Sequence, residues 1–170
     1  MAEYIPPEGQ NIHGHLPNSD GIALDLYRLL TIFLSDKELA MMGSGRTDDP
    51  VENLRQFGDD EITRILITTA ITARILDDGG RLQQTKPDQC GELIVDLERP
   101  ADVIPLTLRE ACNKIIHMKS MHGDVSEVDG KRHLNPILYF YGQQKTKNWK
   151  ATLNIVEYAK TYAEAISGYA

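Results

Sequence analysis

Residues 59–78 read Asp-Asp-Glu-Ile-Thr-Arg-Ile-Leu-Ile-Thr-Thr-Ala-Ile-Thr-Ala-Arg-Ile-Leu-Asp-Asp, and no other stretch of the chain limits its fold so strongly. At about 100° per residue, a helix here places Ile62, Ile65, Leu66, Ala73 and Leu76 on one side and Ile67, Ile71 and Ile75 on the other. A helix that is apolar on two sides is one covered on both. The segment is therefore expected at the centre of a helical assembly. Asp59, Asp60 and Glu61 suit the positive end of its dipole. Thr68, Thr69 and Thr72 fit a narrow seam by bonding back to backbone carbonyls. Asp77 and Asp78 precede Gly79-Gly80 and read as a turn that ends the helix.

Three further helices are expected around it. Ser19 or Asp20 caps one that runs to about residue 42, with Ile22, Leu26, Leu29, Leu30, Phe33 and Leu34 recurring at three and four residues. The Gly43-Ser44-Gly45-Arg46-Thr47 segment lacks the preceding strand, the glycine spacing and the Lys-Ser/Thr pair of a phosphate-cradling loop, so it reads as a linker, with Pro50 in support. Another helix covers about 107–121. The last covers about 150–167, with Ile155, Ala159, Tyr162, Ala163 and Ile166 as its stripe. Strand signals are few: residues 93–95, and residues 134–141, which Pro136 confines to a sheet edge or to a strand's start. Residues 123–130 and 142–148 read as polar turns and loops. The expected fold class is mostly α, a helical bundle of about four main helices with a small β element. Pro6, Pro7, Gly9, Gly14 and Pro17 make residues 1–19 an N-terminal arm, and 20–170 form a single helical domain.

The totals agree with one folded domain. Hydrophobic residues are 41% and charged residues 25% of 170, close to a globular average. Cys90 and Cys112 lack a close pairing motif, the start of the chain has neither a basic nor an apolar run, and no stretch approaches the roughly 18 apolar residues of a membrane span. A cytoplasmic protein without a membrane partner is expected. The net charge of -7 is unevenly distributed: residues 1–105 hold 9 basic and 19 acidic side chains, residues 106–170 hold 9 basic and 6 acidic. If any part meets a phosphate, it is the C-terminal one.

The helix expected at 107–121 carries the strongest chemical signal. Leu108, Ala111, Cys112, Ile115, Ile116 and Met118 share a core-facing arc, and Arg109, Asn113, His117, Glu110 and Lys114 share the opposite one. Arg109, Asn113 and His117 step by four, which sets them about 6 Å apart along one side of the helix. A cation, an amide and an imidazole in that order can lie along one substrate. Imidazole titrates near neutral pH and suits general acid–base work. Arg109 can hold a phosphate bidentately, with Lys114 adding charge from the flank. Solvated polar residues on an ordinary surface helix give the same pattern.

The segment Leu108-Arg109-Glu110-Ala111-Cys112-Asn113-Lys114-Ile115-Ile116-His117 resembles the signature helix of the HEPN superfamily, helical proteins whose motif is an arginine, commonly followed by a polar residue such as Asn, and then a histidine. Asn113 and His117 match the Asn-to-His part. Cys112 stands at the arginine's place, and Arg109 is the nearest substitute. The resemblance implies a four-helix plan, with residues 134–148 as an inserted strand and loop. It also implies a homodimer that pairs two 107–121 helices, and in active members metal-independent RNA cleavage by the histidine and arginine.

Elsewhere, Lys145, Lys147 and Lys150 flank Trp149, and basic residues interleaved with an exposed aromatic can grip single-stranded nucleic acid. A solvated loop with Trp149 anchoring the last helix to the core is the favoured reading of them, because a sole tryptophan at a helix start is usually packing. His117, His122, His133 and Cys112 do not converge on a metal, since the two closest histidines point about 140° apart on a helix. His13 and His15 read as surface residues. No metal and no cofactor is expected. Three functional readings stand: a HEPN-like helical module acting by protein or RNA binding, a ribonuclease with His117 as general acid–base, and an unrelated helical adaptor.

Overall fold

A computed structural model describes residues 18–44, 46, 48–80, 82 and 88–167, and these described residues form four helices and a five-stranded antiparallel sheet. The N-terminal arm, His13 and His15 lie outside the described residues, apart from the arm's last two positions.

Helix α1, Ser19–Met42, starts where the Asn18 side chain accepts the Asp20 N–H, and ends where the Gly43 N–H returns to Leu39. Its buried residues Ile22, Leu26, Leu29, Phe33, Asp36 and Ala40 follow the helical period. Helix α2, Pro50–Asp78, begins nine residues earlier than residue 59. Asp49 caps it by accepting from the Val51 and Glu52 N–H groups, and Pro50 occupies the first turn, where its missing N–H leaves nothing unpaired. Pro50 thus opens a helix rather than extending a linker.

Helix α2 buries Ile62, Ile65, Leu66, Thr69, Ala70, Ala73 and Leu76, while Ile67, Ile71 and Ile75 stay 40%, 45% and 58% exposed. The expectation of cover on both sides is corrected. Helix α2 packs on α1, on α3 (Leu108–His117) and, through Thr69, on α4 (Ile155–Ile166), so it lies on the outer side of the helical layer. Thr69 does bond back, to Ile65 at 2.8 Å. Its hydroxyl also meets that of Tyr158, and the Tyr162 hydroxyl donates to its carbonyl, each at 2.9 Å.

The strands are β1 (Gly91–Ile94), β2 (Val103–Leu106), β3 (Ser120–Val128), β4 (Lys131–Gln144) and β5 (Lys147–Asn154), in the order β2-β1-β5-β4-β3. This sheet overturns the helical bundle with a small β element, and with it the four-helix plan. The last helix begins at Ile155, because Trp149, Ala151 and Leu153 alternate into the core as a strand and Asn154 then caps α4. Residues 123–130, read as a turn, are mostly strand β3. Strand β4 is interior to the sheet, against the first of the two positions expected from Pro136, and the proline lies just before the stretch that pairs with β5. The proline is accommodated because the β3–β4 register shifts between Gly123 and Val125, and because β4 first pairs β5 at Ile137. Residues 142–148 are a tight hairpin in which Lys145 takes φ 56°.

The register separates the sheet's two sides. Leu93, Ala151, Phe140 and Met121 lie in one cross-strand row against the helices. The neighbouring rows, Ile94, Lys150, Tyr141 and Ser120, and Glu92, Thr152, Tyr139 and His122, point the other way. None of those eight residues is buried, so among the described residues this side of the sheet is open.

Candidate nucleic-acid interface

Strand β4 sets Ile137, Tyr139 and Tyr141 on the open side by its period of two. Lys150 reaches across from β5, with Nζ 4.6 Å from the Tyr139 ring centre and 5.9 Å from that of Tyr141. His122 on β3 meets the Tyr141 ring edge-on at 5.7 Å. The Tyr139 hydroxyl donates to Asp124 at 2.9 Å, and the Asn135 amide donates to both Asp124 and Ser126 at 2.7 Å. Those bonds, Asn135 first and Tyr139 second, hold the Asp124 carboxyl below the usual carboxylate range. The Tyr139 hydroxyl is correspondingly pushed up, chiefly by its bond to Asp124, so it stays protonated and its ring is fixed. The result is a small platform of three rings with one ammonium among them.

On the helix side of the sheet, between α3 and the hairpin end of β4 and β5, lies a cleft of about 530 Å³, lined by Glu110, Asn113, Lys114, His117, Gln143, Gln144, Lys145 and Trp149. His117 is the last residue of α3 and is exposed, so the expectation that its imidazole turns from the interior agrees with the structure. The helix itself is shorter than 107–121, because Ser120 already belongs to β3. Asn113 is half-buried and donates to Glu110 at 3.4 Å.

Arg109 does not join these groups. Its guanidinium pairs with Asp77 and Asp78 at the end of α2, so Arg109, Asn113 and His117 share a helix side but not a site. This also explains the two aspartates, which lie at the unfavourable end of a helix dipole and are neutralised there by Arg74 and Arg109.

The residues expected to grip nucleic acid divide in the same way. Trp149 is 1% exposed and offers no face to a base; Gly142, where a Cβ would overlap the indole, makes room for it. Lys114 is 7% exposed, its Nζ 4.8 Å from the Trp149 ring centre and 3.7 Å from Glu110, so it is a core cation rather than a phosphate contact. Lys147 pairs with Asp96 at 3.3 Å. Lys145 is exposed at the hairpin tip, and Lys150 is on the platform. Tyr139, Tyr141 and His122 are the residues the sequence reading missed. The alternation Ile137, Tyr139, Tyr141 marks them once 131–144 is recognised as a strand.

Among the described residues no group of three or more His, Cys, Asp or Glu is placed to hold a metal ion, and no helix is long and apolar enough to cross a membrane. Cys90 and Cys112 are buried free thiols, both pushed up to about 12 by burial. No family model, curated protein or solved structure matches the chain.

Proposed function

We propose that the protein is a binding module that takes single-stranded RNA on the open face of its sheet. The observation that carries this reading is the platform of Tyr139, Tyr141 and His122 with Lys150 among the rings. Unstacked bases bind aromatic side chains on exposed sheet surfaces, and each stacked base contributes about 1–3 kcal/mol by alanine substitution. The ammonium adds charge where the backbone of a stacked strand would run. Lys145 adds a second exposed cation at the hairpin tip, and both lysines lie in the net-basic part of the chain.

The reading with His117 as a general acid–base has less support. The cation that chemistry would use, Arg109, is engaged at the end of α2. His117 and Asn113 then serve the cleft as polar lining.

The test is fluorescence anisotropy with a labelled single-stranded RNA, titrated at several salt concentrations. Affinity is expected to fall as salt rises. Tyr141→Ala should weaken binding by a factor between about 5 and 150, which is the stacking range expressed as an affinity ratio. Trp149 variants are unsuitable because they remove core. A salt-independent signal, or full affinity in a Tyr139→Ala/Tyr141→Ala double variant, would set the reading aside in favour of a protein ligand on the same face.

A further inference from the structure

The side of α2 turned away from the core carries Arg64, Ile67, Ile71, Ile75 and Asp78. On a helical wheel these five fall within an arc of about 80°. The isoleucines are 40%, 45% and 58% exposed, and the side chains of Arg64 and Asp78 are 45% and 61% exposed. Three isoleucines stacked four residues apart on an outer helix form a contiguous apolar stripe, and such stripes mark interaction surfaces.

The order of residues along the stripe identifies its partner. Ile67 lies four residues before Ile71 and Ile75 four after; Arg64 lies seven before and Asp78 seven after. Turning the helix end for end about Ile71 therefore lays Ile67 on Ile75 of a second copy, Ile71 on itself, and the cation Arg64 on the anion Asp78. The stripe complements itself under a two-fold axis, in shape and in charge, which is the requirement of an isologous contact. A different protein would need no such palindrome. Arg64 already holds Asp25 and Glu61, and Asp78 already holds Arg74, so both charges are oriented in advance at the two ends of the stripe.

We propose that two copies of this chain pair antiparallel through α2, with the two-fold axis at Ile71. The pairing helix is α2, not the 107–121 segment that the motif resemblance implies. Because α2 lies on the outer side of the helical layer, two helices can approach to the usual 8–10 Å, and both open sheet faces remain free. This inference does not depend on RNA binding.

Light scattering on the full chain should give twice the mass of one chain, dissociating on dilution. Ile71→Asp should give a monomer with unchanged circular dichroism, since Ile71 is not a core residue. Register is read with cysteine variants and a short thiol crosslinker. Ile71→Cys should crosslink to itself. Ile67→Cys should crosslink poorly alone and efficiently when mixed with Ile75→Cys. Native Cys90 and Cys112 are each 0% exposed and will not compete. A monomeric parent protein, a dimer that survives Ile71→Asp, or Ile67→Cys crosslinking to itself as well as to Ile75→Cys would each overturn the proposal.

Discussion

Asp36 joins three elements, and its removal should be strongly destabilising while leaving the open sheet face untouched. Its carboxylate accepts from Arg55 Nε at 2.9 Å and Nη2 at 3.0 Å, and from the backbone N–H of Leu134 at 2.7 Å, thereby tying α1 to α2 and to β4. The side chains of Arg55 and Asp36 are 17% and 10% exposed. Asp36→Ala strands the guanidinium with Glu52 and the Arg132 carbonyl, and orphans the Leu134 N–H. Breaking a buried pair from one side costs about 3–5 kcal/mol. Because Glu52 remains, we expect about 3 kcal/mol, a large part of the roughly 5–15 kcal/mol that a domain has in total. Arg55→Met removes the charge and keeps an apolar stem. In the double variant the Leu134 N–H lacks its partner, worth about 1–3 kcal/mol, while Glu52 and the exposed Arg132 carbonyl, which also lose Arg55, can turn to water. The double variant should thus be more stable than the sum of the single effects implies, by at least about 1 kcal/mol. Equilibrium urea unfolding followed by circular dichroism measures all three. A loss below about 0.5 kcal/mol for Asp36→Ala, which is the range of an ordinary surface change, or strict additivity in the double variant, would refute the reasoning.

Two further outcomes follow from local geometry. The Ser44 hydroxyl and N–H, with the Val51 N–H, lower the Asp49 carboxyl from 3.8 to about 2. A carboxyl depressed by folding stabilises above its unfolded value and loses that contribution as pH falls through its folded one, so Asp49→Ala should flatten the acid limb of a stability profile between about pH 4 and pH 2; an unchanged limb would show that the cap contributes nothing. Gly142→Ala should destabilise by about 1–3 kcal/mol through overpacking against the Trp149 indole, and thermal unfolding equal to that of the parent would show that the indole can move aside.

What the sequence disclosed follows from how local each determinant is. Helix α1, the core side of α2 and the outward placement of His117 were all readable, because a helix closes its hydrogen bonds within itself and shows its period in a single segment. The sheet was not, since its strands are defined by partners far along the chain. Strand β5 offered only Trp149, Ala151 and Leu153 as alternation, and these run directly into the helical stripe that starts at Ile155, so strand and helix merged into one expected helix. Strand β3 carries Gly123, Asp124, Ser126 and Glu127, whose composition reads as a turn; it is a strand because β4 supplies its ladder. At the candidate site, one wheel grouped Arg109 with His117 correctly as neighbours on a helix, but no wheel could show that Asp77 and Asp78 of another helix claim the guanidinium.

The two outer strands bear on how any partner can be held. Strand β2 contains Pro105, which has no amide hydrogen to offer a newcomer, and the ladder of β3 with β4 is broken between Gly123 and Val125. Both borders resist lengthening of the ladder by a foreign strand. A molecule that can display a small aromatic platform without inviting fibril growth at its margins is suited to ligands that lie flat across it rather than to peptides that zip alongside.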